Sequence, residues 1–314
     1  MRIVPYTSEK KREWDDFVLA SRNGTFLHFR DYMDYHAHRF VDASLMCYRD
    51  GKLVALLPAN WVEAEHTVYS HQGLTYGGLL MGDELTSIRV LDIFEQMATW
   101  MRLELKAKRF VYKPIPYIYS LCPSQEDLYA LFRMGADIHT RAIASVVEKG
   151  HRIAMRKGRK SSIATARKMN VTVKESIDFP VFWRILEQVL HDKFQASPVH
   201  SLDEMKQLHG HFPENIHLYA AYNAEGMMIA GTVIYEMPHC VHAQYIASTI
   251  EGKDSGAVDA IYGWLIEHKY ADKRYIDLGT SVEQGGRVLN EGLIRQKEAF
   301  GARGVVYDSY VVNL

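Results

Sequence analysis

The chain has 314 residues, 47% hydrophobic and 24% charged, with a formal net charge of −1, ordinary globular usage that excludes a disordered or low-complexity protein and fits about two domains. No stretch approaches the roughly 18 uninterrupted apolar residues of a membrane span. The opening MRIVPYTSEKKREWDDF lacks the basic-then-apolar order of a secretory signal, so cytoplasmic residence is the expectation. Cys47, Cys122 and Cys240 are odd in number, far apart and without a CxxC pair, which predicts reduced thiols, each a small core residue.

In chain order, Ser8 to Ser21 predicts a helix with Trp14, Phe17 and Val18 on one face, and Phe29 to Tyr35 a second, short one. Ala43 to Tyr48 and Leu53 to Val62 are β-rich runs about Asp50-Gly51, a strong hairpin signal. Val68 to Leu80 is Gly-rich and turns. Ile88 to Ala107 carries Phe94, Met97, Ala98 and Met101 at helical spacing, and Pro114 and Pro116 then break regular structure. Gln125 to Met134 predicts a helix and Ile138 to Glu148 a strand. Lys149 to Lys168 holds eight Lys or Arg and no acid; it is either a solvated helix face or a patch that attracts phosphates, and its part from Ser162 to Met169 predicts a helix. Pro180 opens another helix through Val189. Ile216 to Tyr222, Met227 to Tyr235 and Cys240 to Ala247 form a meander, followed by a helix (Ala257 to His268), a strand (Tyr275 to Leu278), a helix (Val288 to Phe300) and a last strand (Val305 to Val312).

The order repeats. A Gly-containing hairpin, a helix, a strand and a further helix ending in Gly occur in each half, at Gly51 and Gly135 and again at Gly226 and Gly301, so the chain reads as two copies of one α/β module with a mixed, mostly antiparallel sheet flanked by helices. The expected domains are residues 1–150 and 151–314. Fifteen histidines invite a metal reading, yet none has HExxH spacing or accompanying cysteines, so no metal is expected.

This twofold order resembles the tandem GNAT fold of the FemAB-like proteins and their acetyltransferase relatives. The resemblance rests on Tyr275-Ile-Asp-Leu-Gly279, on the segment Gly286 to Gly301 ending in Lys297-Glu-Ala-Phe-Gly, and on the basic Arg156-Lys-Gly-Arg-Lys160 leading into Ala166-Arg-Lys168. It implies transfer of an acyl group from acyl-CoA to an amine or hydroxyl of a cell-envelope or sugar-like acceptor. Two other outcomes fit the resemblance: an aminoacyl-tRNA-dependent ligase of the peptidoglycan-bridge kind that binds tRNA through Lys149 to Lys168, or a catalytically inactive ligand-binding protein. The turn Thr249 to Ala257 departs from the Q/R-x-x-G-x-G/A of coenzyme A users in lacking the leading Gln or Arg. It keeps Gly252, Lys253, Gly256 and Ala257, which with Arg156 are the candidate phosphate contacts.

The candidate chemistry falls mostly in the second module. The resemblance puts Lys297 against anionic parts of donor or acceptor, where as a point charge it can also stabilise an oxyanion; the bland alternative pairs it with Glu291 or Glu298. Glu283, in the loop after Tyr275 to Leu278, is a candidate general base, or else only a turn former, and Asn290 can orient a carbonyl. Asp277 lies at the carboxyl end of a strand, where α/β sheets gather ligands. Alternation over Val241 to Tyr245 puts His242 and Gln244 on one face and Val241, Ala243 and Tyr245 on the other, so the first pair lines a cleft or forms a buried hydrogen-bonded couple. In the first module His71, Tyr76 and Gly77 of the Gly-rich segment, with Lys113 and Tyr117, suit the wall of an acceptor site between the modules; a rigid turn packed by aromatics is the alternative.

Overall fold

The computed structural model describes residues 1–314 except the side chains of Lys193 and Phe194. In the first half β1 (Arg2–Pro5) is followed by α1 (Lys11–Ala20), which buries Trp14 and Val18, by α2 (Arg30–Met33) and by β2 (Val41–Asp42). Asp50 and Gly51 both take positive φ (49° and 81°), the primed turn that matches strand twist, and fold β3 (Leu45–Arg49) against β4 (Lys52–Leu57). The predicted run to Val62 is broken after Leu57 by Pro58, which cannot donate to a ladder, so Asn60–Val62 becomes β5 and pairs with β6 (Thr67–Tyr69). After β7 (Leu80–Met81) comes α3 (Ser87–Glu104), whose Val90, Ile93, Phe94, Met97 and Met101 are buried at three- and four-residue steps, each such side chain contributing about 1.5–3 kcal/mol. Then come β8 (Arg109–Tyr112), α4 (Glu126–Arg133) and β9 (Asp137–Glu148).

The second half begins with α5 (Lys157–Lys168), five residues earlier in the chain than its predicted start because the basic segment itself is helical. Next are β10 (Thr172–Ser176), α6 (Phe179–Phe194), α7 (Leu202–His211), and the meander β11 (Ile216–Tyr222), β12 (Met228–Glu236) and β13 (Cys240–Ser248). A short α8 (Ile250–Asp254) leads to α9 (Ala257–Trp264), which continues to Lys269 as a π-helix, and to β14 (Tyr275–Thr280). The predicted helix from Val288 starts later. Val282–Glu283 and Val288–Leu289 pair as the hairpin β15–β16, and α10 (Glu291–Glu298) is capped by Asn290, whose Oδ1 accepts from Leu293 N at 3.0 Å. The last strand is β17 (Arg303–Asn313).

Two compact units result. The first comprises residues 1–142, 284–287 and 306–314, the second residues 143–283 and 288–305. This is not a single cut at residue 150: the end of the chain joins the first unit because Tyr310, Val311 and Val312 pair with Tyr112, Val111 and Phe110 of β8, and Val312 enters that unit's core. The first unit holds the sheet β1-β3-β4-β7 and the strand order β17-β8-β6-β5-β2; the second holds β10-β11-β12-β13-β14-β9. In each the sheet is antiparallel apart from one parallel pair, β6 with β8 and β13 with β14. Cys47 and Cys240 are buried as expected, whereas Cys122 is exposed, since it sits in the irregular segment after Tyr119. No described helix is long and apolar enough to cross a membrane.

Candidate functional site

The parallel pair of the second unit is short. β13 and β14 pair only at Cys240↔Tyr275, Val241↔Ile276 and His242↔Asp277, although β13 continues to Ser248 and β14 to Thr280. Past His242 the two strands part, and the polar side chains gather there. A β-bulge helps: Val233 pairs with Tyr245 and Ile234 with Ala243, leaving Gln244 as the extra residue, and such bulges re-aim side chains. The simple alternation expected over Val241 to Tyr245 therefore fails at Gln244. Val241 and Ala243 pack with the α9 core, while Tyr245 stacks edge-on against Trp183 of α6. Gln244 Oε1 is buried without a hydrogen-bond partner among the described residues.

The register brings His242 beside Asp277. The Asp277 carboxylate has no exposed surface; its Oδ2 accepts from His242 Nδ1 at 2.6 Å, and its Oδ1 accepts from the Gly279 amide at 2.8 Å. A buried carboxylate so bonded fixes the imidazole tautomer and leaves Nε2 as the basic nitrogen. Gly279 has φ +78°, and a Cβ placed there would lie 3.8 Å from both His242 Cε1 and Lys297 Nζ, so the two side chains flank one point of the backbone. Lys297 reaches it from α10, donating to Gly279 O (3.0 Å) and Thr280 O (2.7 Å). An ammonium has three donors, so one remains for a ligand. Burial pulls the Lys297 amine down to about 8, against the opposite pull of Asp277.

The other candidates are distributed differently. Asn290 Nδ2 donates to Glu283 Oε1 at 2.9 Å, so this pair locks the β15–β16 hairpin to the cap of α10. In the turn after β13, the Gly252 amide donates to Thr249 Oγ1, Lys253 N to Thr249 O and Gly256 N to Lys253 O, so these amides are engaged inside the turn. Gly252 packs where a Cβ would lie 2.3 Å from Ile229 O, Gly256 has φ +73°, and Ala257 is buried. Arg156 is the N-cap residue of α5, with its amide on Ala299 O.

The first unit's candidates lie inside its packing. His71 and Tyr76 are buried, and Tyr76 packs on Tyr119 and His28. The Gly77 amide donates to Lys113 O, and Lys113 Nζ donates to Leu74 O. Burial pulls Lys113 down to about 8 and His71 to about 2, the latter helped by the charges of His36 and Lys113. Tyr117 is half exposed. Gly279 and Thr280, whose carbonyls hold Lys297, were missed from the sequence; the Gly after Asp277-Leu278 was the available signal.

No protein-family model matches the chain, and no curated protein does. Solved structures do. FemX is similar over 100% of this chain and 98% of its own at 12% identity, with a TM-score of 0.70. L-PGS from Bacillus licheniformis is similar over 98% and 92%, at 13% identity and a TM-score of 0.63. A tandem GNAT protein from the clavulanic acid biosynthesis pathway is similar over 99% and 98%, at 12% identity and a TM-score of 0.55. The fold is thus the tandem GNAT fold of FemAB-like proteins, matched end to end.

Proposed function

We propose that this tandem GNAT-fold protein is an acyltransferase whose transfer step takes place where β13 and β14 part. The observation that carries the reading is the His242–Asp277 couple facing Lys297 across Gly279. An amine or hydroxyl acceptor must lose a proton as it attacks a carbonyl. His242 Nε2 takes that proton, Asp277 holds the imidazole and stabilises the resulting imidazolium, and Lys297 gives its remaining N–H to the tetrahedral oxyanion. When the intermediate collapses, the leaving thiol or hydroxyl of the carrier regains a proton from His242. No covalent enzyme intermediate is required. The acyl donor is an acyl-CoA and the acceptor a cell-envelope or sugar-like amine or hydroxyl. Turnover against a panel of acyl-CoAs with amine acceptors tests this, and a protein that binds donors yet turns over none of them is the inactive ligand-binding alternative.

A second donor, aminoacyl-tRNA, is favoured by two observations: α5 carries its basic residues largely exposed, and the amides of Gly252, Lys253 and Gly256 are engaged within their own turn. Binding of charged tRNA that weakens steeply with salt and is lost on charge reversal at the exposed Arg156 and Lys157, with Arg159, which is paired to Asp259, changed only to Lys, supports this donor over coenzyme A.

A further inference from the structure

A cleft of about 440 Å³ in the second unit runs between the start of α5 and one face of α10, lined by Arg156, Gly158, Arg159, Gly292, Arg295 and Gln296. Its size falls within the range of about 300–1,000 Å³ typical of small-molecule sites. Three arginines and no carboxylate line it. Arg159 is anchored from behind: its Nη1 is 2.5 Å from Asp259 Oδ1 and its guanidinium lies 5.6 Å from the Phe300 ring centre. A guanidinium has five N–H donors in a planar fork, so one pinned at a single nitrogen keeps a pre-oriented edge for a second anion without losing side-chain entropy again. Arg295 is tethered to Glu291 at 2.5 Å on the same helix and shares with Gly292 and Gln296 the face of α10 that lines the cleft, a face that Lys297 does not share.

The two glycines of the lining strengthen the case. A Cβ on Gly158 would meet nothing within 4 Å, and one on Gly292 only Asn290 Oδ1 at 3.8 Å. Each is the second residue of its helix, and packing demands glycine at neither. Without side chains of their own they leave room between the arginines.

We infer that this cleft between α5 and α10 is a phosphate-binding subsite for the carrier of the acyl group. The inference rests on the acyltransferase reading for the identity of the ligand, though not for its chemistry. Phosphate oxygens take bidentate bonds from guanidinium groups. They have two sources here, the phosphates of coenzyme A or the phosphodiester backbone of an RNA.

The test uses the full chain and two probes, acetyl-CoA and a short single-stranded RNA ending in CCA, with affinities measured between about 50 and 200 mM salt. Charge reversal at the exposed positions, Arg156→Glu with Arg295→Glu, is expected to weaken one probe by at least about tenfold and to flatten its slope of log affinity on log salt by roughly 0.7 for each phosphate no longer neutralised. Arg159→Lys, which keeps the ion pair to Asp259 and so the fold, is expected to weaken the same probe less. If acetyl-CoA is affected, and acetyl-dephospho-CoA binds the parent as weakly as acetyl-CoA binds the double variant, coenzyme A is the source; if only the RNA is affected, RNA is. The inference is overturned if neither probe binds the parent protein, or if both bind the double variant as tightly as the parent. Arginine-dependent binding without any acyl transfer supports the subsite and counts against the acyltransferase reading, whereas transfer that survives with unchanged carrier affinity in the double variant removes the subsite alone.

Discussion

Each unit contains one parallel strand pair, and the two pairs end in opposite ways. In the first unit β6 and β8 pair at Thr67↔Arg109, Val68↔Phe110 and Tyr69↔Val111, and the next segment folds back across the opening. Ser70 N donates to Val111 O, Lys113 N to Ser70 Oγ, and Gly77 N to Lys113 O. The first fork is closed by two backbone hydrogen bonds and the Ser70 hydroxyl. In the second unit the pairing stops at His242↔Asp277, and beyond it lie a bulge at Gln244, a left-handed Gly279 and a lysine. One parallel pair is thus closed over in one copy and ends in a buried His–Asp pair in the other, and the difference lies in the residues after the third paired position.

The largest expected effect separates the forks chemically. His242→Ala should lower turnover per folded molecule by about 10²–10⁴, the usual worth of a positioned base, and should also lower the melting temperature, because the buried Asp277 carboxylate loses its imidazole partner. A substitution at the buried His71 should lower stability and leave turnover per folded molecule intact; equal loss of turnover from both would erase the distinction. Lys297→Met should cost about 10²–10³ in turnover if its free N–H serves the oxyanion. Because burial holds this amine near 8, the charged form is present below that pH and is lost above it, so the rate should fall as pH rises through about 8. Lys297→Arg stays charged and should shift that alkaline limb beyond the measured range.

A third effect belongs to the closed fork. Burial pulls His28 to about 4 from an ordinary value of 6.5, so the unfolded chain binds the extra proton between these values. Stability is then complete above about pH 6.5 and is lost as pH falls, by roughly 3 kcal/mol at about pH 4 for His28 alone. Denaturant titrations at several pH values should show this slope in the parent and a flatter one in His28→Gln. The last pair of substitutions compares like with like. A Cβ on Gly77 would lie 1.8 Å from Ser70 O, so Gly77→Ala should destabilise by about 3 kcal/mol. At Gly279 space is available and only the φ of +78° resists, so Gly279→Ala should cost about 1–2 kcal/mol while lowering turnover by displacing the carbonyl that holds Lys297. Melting temperatures of the two variants measure the contrast.

What the sequence revealed was local. The Asp50-Gly51 hairpin, the buried stripe of α3, the β11–β13 meander and the doubled order of elements all arise from turn chemistry and periodicity within short windows, and the candidate residues Lys297, His242 and Asp277 were all singled out. Their partnership was not visible, because His242 and Asp277 meet only through a parallel register between strands separated by α8 and α9. The Gln244 bulge depends on β12 as much as on β13, so alternation along one strand could not show it. Val288 and Leu289 have helix-compatible neighbours, yet pairing with Val282 and Glu283 claims them for a hairpin. The unit boundary was missed for the same reason: β17 finds its partner in β8, from the opposite end of the chain.

The central claim is that acyl transfer occurs at the His242–Asp277–Lys297 fork. Its most direct measurement is formation of a hydroxamate from hydroxylamine, a small surrogate amine, with acetyl-CoA and charged tRNA supplied in turn as donors to the parent, His242→Ala and Lys297→Met proteins. The expected result is hydroxamate from at least one donor with the parent and a fall of about a hundredfold or more with each variant. No hydroxamate above the buffer rate from either donor, or equal rates in all three proteins, would contradict it.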